Sequence, residues 1–165
     1  MRIDKTTKYS EFEPIEKYVP DSQKKAITNA AESLYGCMYD LEFGEFWNVA
    51  NGDFSLLGNL EDPTVFQVYW LKRFDEFTKE FADTLNKLHV KPTAEEQRAS
   101  EGCLKISLGE SILVFLQKFF GLKSFKEAEK ITLGEILIAK RAQYNDDIFA
   151  RRISRIQMQK IKPKK

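Results

Sequence analysis

The stretch Phe66–Leu88, which reads FQVYWLKRFDEFTKEFADTLNKL, decides the fold class of this 165-residue chain. Large apolar side chains recur within it at steps of three and four residues, which is the spacing of one face of an α-helix. They are Phe66, Trp70, Phe74, Phe77, Phe81, Leu85 and Leu88. Asp62 and Pro63 precede this stripe as an N-cap and a first helical residue, and Lys91-Pro92 follows as a stop. We therefore expect a long central helix over residues 63–89, in which each large side chain stabilises the fold by roughly 1.5–3 kcal/mol when buried.

Further helix signals lie after that stretch. A capping residue followed three positions later by Glu is the spacing of a capping box, in which each side chain bonds the other residue's N–H. It occurs at Thr93 with Glu96, Ser107 with Glu110, Ser124 with Glu127 and Thr132 with Glu135. Gly121 is placed to end the helix that Ser107 begins. Because strand signals are scarce, we predict an all-α, irregular bundle of about five to seven helices with a long C-terminal helix over residues 133–158.

The expected organisation is one helical domain with short ends. Residues 1–20 read as an N-terminal arm or short helix, 21–158 as a single helical domain and 159–165 as a basic tail. Residues 39–60 are rich in Gly, Asn and Asp and show no clear period. The C-terminal helix carries one apolar face, made of Ile138, Ala142, Phe149, Ile153 and Ile156.

One pattern begins three segments: apolar, capping residue, apolar, Gly, Glu. It reads Leu41-Glu42-Phe43-Gly44-Glu45, then Ile106-Ser107-Leu108-Gly109-Glu110, then Ile131-Thr132-Leu133-Gly134-Glu135. The separations between copies differ, so the pattern is not a solenoid repeat. We interpret each copy as a helix N-terminus, in which Glu42 is a weaker cap than Ser or Thr.

Charge is separated along the chain. Residues 26–71 hold seven acidic residues and no Lys or Arg, whereas residues 140–165 hold nine basic against two acidic residues. Opposite patches favour a head-to-tail association in which one copy's tail meets another copy's acidic surface. The tail covering its own chain's acidic surface, or standing solvated, explains the same pattern. Nucleic acid is a further candidate partner but is not favoured, because no aromatic residues or DNA-binding motif accompany the basic residues Arg151, Arg152, Arg155, Lys160 and Lys162.

The sequence indicates no membrane span and no exported form. No apolar run reaches 18 residues and the first residues are polar, so we expect no membrane partner. Cys37 and Cys103 lack metal or redox spacing and suit a reducing compartment.

Catalytic chemistry is not expected either. His89 is the only histidine, so a histidine-based metal site or triad has no second member. Gly121-Leu122-Lys123-Ser124 resembles the end of a phosphate loop, but the earlier glycine is replaced by Leu116. The acidic residues of the 26–71 window are read as a solvated face and helix caps rather than a metal site. We therefore expect no catalytic, cofactor-binding or metal-binding residues.

Aromatic and apolar residues outside the central helix are the expected protein-contact surfaces. One group lies in the stretch without clear period, and the other lies in a segment that is apolar on nearly every face. The candidates are Phe43, Phe46, Trp47, Phe54, Ile112, Phe115, Phe119 and Phe120.

The segment from Phe120 to Glu135, FGLKSFKEAEKITLGE, resembles a segment of the small tail assembly chaperones of tailed bacteriophages. In that family a helix ends in a Gly-Leu turn, a short Ser-capped helix follows, and a Leu-Thr start opens the next helix; the likeness covers residues 104–144. The resemblance implies a non-enzymatic morphogenesis or virion protein that binds other copies of itself or phage structural proteins, in the host cytoplasm during assembly or in the virion. A head-tail connector subunit in an oligomeric ring and a nucleic-acid-binding regulator stay open as alternatives. The stretch 41–60 and the basic tail have no counterpart in the family.

Overall fold

The computed structural model describes residues 18–58, 60, 63–101, 103 and 107–161, with side chains as far as residue 159. Within these ranges the chain forms seven α-helices, two short 3₁₀ turns and one antiparallel β-bridge. The helices are α1 (Asp21–Tyr35), α2 (Phe43–Ala50), α3 (Val65–Lys87), α4 (Ala94–Ala99), α5 (Leu108–Phe120), α6 (Phe125–Ala128) and α7 (Leu133–Ile161). The predicted all-α class is confirmed, including the long central and C-terminal helices. Of the predicted arm 1–20 only residues 18–20 are described, and the last four residues of the basic tail lie outside the described residues.

The central helix begins later than predicted. The Oγ1 of Thr64 accepts a hydrogen bond from the N–H of Gln67 at 3.3 Å, and the Oε1 of Gln67 accepts one from the N–H of Thr64 at 2.7 Å. Thr64 therefore caps α3, and the prediction of Asp62 as the cap is wrong. The physical reason is that a cap at 62 would place Val65 at the third helical position, where it has no side-chain acceptor to return the bond.

Other helix ends also differ from the prediction by a few residues. α3 ends at Lys87, before Lys91-Pro92, and α7 continues to Ile161 instead of 158. α1 ends at Tyr35 because Gly36 follows with a φ of 101°, a conformation that side chains disfavour. Residues 39–60, which the sequence left unassigned, contain α2 and a 3₁₀ turn over Ser55–Leu57.

α3 is the spine of the core, as its stripe predicts. Trp70 is completely buried, and Phe74, Phe77 and Phe81 are nearly so. The ring of Phe46 from α2 packs between Phe74 and Phe81, at centroid distances of 5.3 and 5.6 Å. The Nε1–H of Trp70 donates to the carbonyl of Gly36 at 3.0 Å, so the buried indole keeps a hydrogen-bond partner. Nearly all of the buried apolar side chains form one cluster that extends from α1 to α7.

Two copies of the repeated motif pair with each other. The N–H of Phe43 donates to the carbonyl of Ile131, and the N–H of Leu133 donates to the carbonyl of Leu41, both at 2.9 Å. The two segments are related by a local twofold rotation, because exchanging residues 41–46 with residues 131–136 turns each of these hydrogen bonds into the other. The pairing lets both helix starts turn their first apolar residue into the same core, so Phe43 and Leu133 are fully buried.

The glycine of the motif permits a close approach in all three copies. A Cβ added at Gly44 would lie 3.2 Å from the Cβ of Glu129, and one at Gly134 would lie 3.2 Å from the carbonyl oxygen of Tyr39. At Gly109 it would lie 2.6 Å from the indole of Trp47. Helix capping, as predicted, explains the Ser, Thr and Glu of the motif, and close contact explains its glycine.

The third copy differs in its surroundings. Ser107 and Glu110 form the predicted capping box, but Leu108 is 63% exposed, whereas its equivalents Phe43 and Leu133 are buried. α5 ends, as predicted, at Gly121 in the left-handed conformation. None of the helices in the described ranges has the length and apolar character needed to cross a lipid bilayer.

Candidate protein interfaces

Three phenylalanines lie exposed around the turn between α5 and α6. Phe119, Phe120 and Phe125 expose 44, 40 and 49% of their surface, and we call them the α5 patch. The ring of Phe119 lies 5.3 Å from that of Phe115 and 5.2 Å from that of Phe120, centroid to centroid. These contacts hold the rings in a defined arrangement while leaving much of their area in water. Clustered aromatic side chains of this kind are typical of protein–protein contact sites.

The rim of the α5 patch is basic. Lys118, Lys123 and Lys126 are all exposed, and none of them forms an ion pair within the described part of the chain. The carboxylate of Glu127 accepts a hydrogen bond from the main-chain N–H of Lys123 at 2.9 Å, and Glu129 is exposed two residues further on. A complementary surface would therefore be apolar in its middle and acidic at its edge.

Three predicted interface residues belong instead to the core of their own chain. Phe43, Phe46 and Ile112 expose only 1, 6 and 5% of their surface, which corrects the prediction for them. Residues 43–50 form a helix that the sequence period did not indicate, and this helix turns the ring of Phe46 toward α3 and buries Phe43 in the core cluster. One side of α5, that of Ile112 and Leu116, faces the same core, so the exposed apolar surface of α5 lies at its two ends, at Leu108 and at Phe119 with Phe120.

Trp47, Phe54 and Phe115 lie between core and surface. Trp47 is 40% exposed, but its ring stacks on that of Phe43 at 6.0 Å and contacts the start of α5 at Gly109. Phe54 is half-buried against the core cluster. The Nζ of Lys140 lies 3.5 Å from the ring centroid of Phe115, which is a cation–π contact. These three aromatic residues thus already have partners within the chain.

Lys140 sits in an environment that opposes its charge. Burial lowers the pKa of its ammonium group, and the carboxylate of Asp147 partly offsets that effect. The Nζ donates a hydrogen bond to the Oε1 of Gln143 at 3.2 Å. With the Phe115 contact, this makes Lys140 a group that joins α7 to α5.

α7 turns an apolar stripe away from the body of the protein. The stripe follows the face noted in the sequence, and Ile138, Phe149 and Ile156 expose 67, 65 and 48% of their surface. The opposite side of the helix packs inward through Ile136 and Leu137. Because surface helices normally turn their apolar face to the core, this exposed face is unusual. We call it the α7 stripe; it consists of Ile138, Ala142, Phe149, Ile153 and Ile156.

The basic candidates of α7 fall into two groups. Arg151 donates to the carbonyl of Lys91 at 2.9 Å and to the Oε2 of Glu96 at 3.0 Å, so it connects α7 to α4 within the chain. This corrects its assignment as an outward contact. Arg152 and Arg155 are exposed. Lys160 lies in α7 but has no described side chain, and Lys162 lies outside the described residues.

Some carboxylates of the acidic stretch 26–71 have bonding partners within the chain. Glu32 pairs with the Nε of Arg73 at 3.6 Å, and the Oε2 of Glu45 accepts the N–H of Glu42 at the start of α2. Asp40 and Asp53 are exposed, whereas Glu61 and Asp62 lie outside the described residues. Contact between this window and the tail of another copy stays a prediction.

The histidine and the two cysteines of the chain lie within the described residues. His89 is exposed beyond the end of α3, and the thiols of Cys37 and Cys103 are both free. In the same ranges, no group of three His, Cys, Asp or Glu side chains is placed to hold a metal ion. A cleft of about 590 Å³ lies between α3, α5 and α7. Its cations, Lys140 and Arg151, are already bonded to Gln143 and Glu96.

Comparison of the chain with known protein families, curated proteins and solved structures gave no match. Its function is therefore inferred from its own surfaces, among which the α5 patch and the α7 stripe are the two apolar ones described above.

Proposed function

We propose that this protein acts without reaction chemistry, by binding other proteins during the assembly of a tailed-phage particle, in the manner of a tail assembly chaperone. The observation that carries the proposal is the α5 patch, with three exposed phenylalanines around the turn between α5 and α6 and a basic rim. The resemblance of residues 104–144 to tail assembly chaperones supports the phage context, and the patch lies within that segment.

The exposed aromatic area of the α5 patch gains free energy when a partner covers it. Burying apolar surface contributes about 25 cal/mol per Å². Rings left 40–49% in water therefore retain a strong tendency to be covered. The three lysines add a long-range attraction for an acidic partner, which raises the rate of encounter more than the final affinity. We expect the partner to be an assembly protein with an apolar depression edged by carboxylates.

Co-expression tests the proposal directly. The tagged chain is produced together with the proteins encoded by its neighbouring genes, and the affinity-purified material is analysed for a retained partner. A Phe119→Asp/Phe120→Asp variant should lose the partner, because both substituted positions are exposed and the monomer should still fold. Phe149→Asp, at a phenylalanine of α7 that is 65% exposed, is the matched control and should retain it. Failure of the wild-type chain to retain any neighbour-encoded protein would contradict the proposal, and so would equal retention by the α5-patch variant.

A ring-forming connector subunit is the closest alternative, since it would use the same patch against its neighbours. It predicts a fixed oligomer of more than two copies for the isolated chain, and measuring the mass in solution separates it from a chaperone. A subunit of that kind would lose its ring with Phe119→Asp/Phe120→Asp.

Nucleic-acid binding is the second candidate, favoured by the exposure of Arg152 and Arg155 on the C-terminal half of α7. It predicts affinity for a DNA or RNA duplex that falls steeply with salt, because each phosphate contact releases counterions. Fluorescence anisotropy with a labelled duplex at about 50 mM salt tests this. Absence of binding there, or binding unaffected by Arg152→Ala/Arg155→Ala, would remove this candidate.

A further inference from the structure

We propose that two copies of this chain pair through the α7 stripe as parallel helices in register, with the bodies of the two copies on the outer sides. This inference goes beyond the proposed function and concerns a different surface from the α5 patch. Its occupant is a second copy of this chain, and the charges flanking the stripe are what identify that occupant.

The stripe has the length and shape of a helix-pairing seam. It runs from Ile138 to Ile156, about five helical turns. Ala142, Phe149 and Ile156 recur every seven residues, the repeat with which helices pair, and Ile138 and Ile153 widen the same face. Because the body packs against the other side of α7, a second helix reaches the stripe without meeting the body.

The charges on the two flanks of the stripe differ in sign. With 3.6 residues per turn, Arg141 lies on one flank of the stripe and Asp146 lies on the other, whereas Arg152 follows Asn145 by seven residues and shares its position at the edge of the stripe. Arg141 and Asp146 are both exposed, and neither forms an ion pair with another described residue. The stripe is thus bordered by free charges that are complementary to each other across a seam.

These flanks select the orientation of the pair. In a parallel pair related by a twofold axis along the helices, unlike flanks face each other. Arg141 of one copy then meets Asp146 of the second copy, five residues further along, which is the offset of salt bridges between parallel paired helices. In an antiparallel pair like flanks would meet, placing arginine against arginine and aspartate against aspartate. Asn145, near the middle of the stripe, gives the parallel pair a polar residue that disfavours shifted registers.

The first experiment measures the mass of the full chain in solution across concentration, by sedimentation or light scattering. We expect a reversible dimer of twice the 19.2 kDa chain mass. Phe149→Asp and Ile153→Asp, both at exposed positions, should each give a monomer with unchanged helix content. Ser154→Asp is the matched control, since it adds the same charge to an exposed position on another side of α7. A monomeric wild type, or a dimer that survives both stripe variants, would overturn the proposal.

The second experiment tests orientation. Arg141→Glu should raise the dissociation constant of the dimer about five- to tenfold, since two symmetric pairs become repulsive, and adding Asp146→Arg should restore it. Ile156→Cys, in a chain with Cys37→Ser and Cys103→Ser, should oxidise to a disulfide-linked dimer because equivalent residues meet in a parallel pair. No rescue by the double charge reversal, or a disulfide that forms only when Ile138→Cys and Ile156→Cys chains are mixed, would refute the parallel arrangement.

The same measurements distinguish a second copy on the α7 stripe from another occupant, the first residues of the same chain. If residues 1–17 of the same chain cover the stripe, the full chain is a monomer and a version lacking those residues dimerises. That result would overturn the proposal. Loss of the dimer in Phe149→Asp with partner retention intact would separate this inference from the proposed function, because the second property depends on the α5 patch.

Discussion

Replacing Gly109 with alanine tests how tightly α5 is seated on Trp47. The added Cβ would lie 2.6, 2.7 and 2.9 Å from three carbons of the indole, closer than real Cβ contacts occur. The ring cannot retreat inward, because it stacks on the buried ring of Phe43. We expect the variant to lose roughly 2 kcal/mol of unfolding free energy through overpacking. That is a factor of about 30 in the ratio of folded to unfolded protein.

The measurement is urea unfolding followed by far-UV circular dichroism, in the wild-type background and in a Trp47→Leu background. Leucine keeps an apolar side chain at position 47 but removes the ring carbons that the new methyl group meets. In that background Gly109→Ala should be neutral or stabilising by up to about 1 kcal/mol, since alanine is the better helix former. The sign of the effect should therefore reverse between backgrounds. An equal cost in both backgrounds, or no cost beside the native Trp47, would refute the reasoning.

Three further predictions concern helix ends and internal links. Thr64→Ala should cost about 1 kcal/mol in a thermal or urea melt by removing the cap of α3, whereas Thr64→Ser should cost little. Arg151→Met should accelerate amide hydrogen exchange in α4, because Arg151 holds that segment through the carbonyl of Lys91 and the carboxylate of Glu96. The free energy of unfolding of the whole chain should change by about 1 kcal/mol or less. Unchanged exchange would show that this link does not order α4. Hydrogen bonds from the hydroxyl and, to a smaller extent, the N–H of Ser107 lower the pKa of Glu110 below its ordinary 4.5. The stabilising effect of the Glu110 carboxylate is therefore complete above pH 4.5. It is lost as the pH falls through the lower pKa of the folded state. Glu110→Gln, which keeps the acceptor but does not titrate, should show a shallower loss of stability between about pH 5 and pH 3 in denaturant melts, and an identical acid profile would contradict this.

The helices were predictable where their signals are local. The stripe of α3 and the caps at Thr93, Ser107 and Thr132 are properties of neighbouring residues, and the structure has each of those helices. The start of α3 was misplaced because Asp62-Pro63 and Thr64 are both acceptable start signals. Only the side chain of Gln67 decides between them.

Burial was less predictable than helicity. Phe43 and Phe119 are both phenylalanines in apolar surroundings, yet one is 1% and the other 44% exposed. The α7 stripe has the same period as the apolar face of a helix that packs on the core. The period alone does not say whether the body of the protein or the solvent lies against that face. Those outcomes depend on contacts between distant segments, such as Trp47 with Gly109, which a single sequence does not display. Phe125 was missed for a simpler reason, because the Ser124 capping signal explained its neighbourhood without assigning the ring a role.

The bridge between Glu42 and Thr132 has a consequence for the order in which the molecule forms. It joins residues that are ninety positions apart, so closing it costs chain entropy that local helices do not incur. During synthesis, the segment at 41–46 must wait until residues 131–136 have left the ribosome before its counterpart exists. Contacts of such long sequence separation slow folding. Docking of the C-terminal helix should therefore be the late step, and until then the N–H of Phe43 and the carbonyl of Leu41 lack their partners at Ile131 and Leu133.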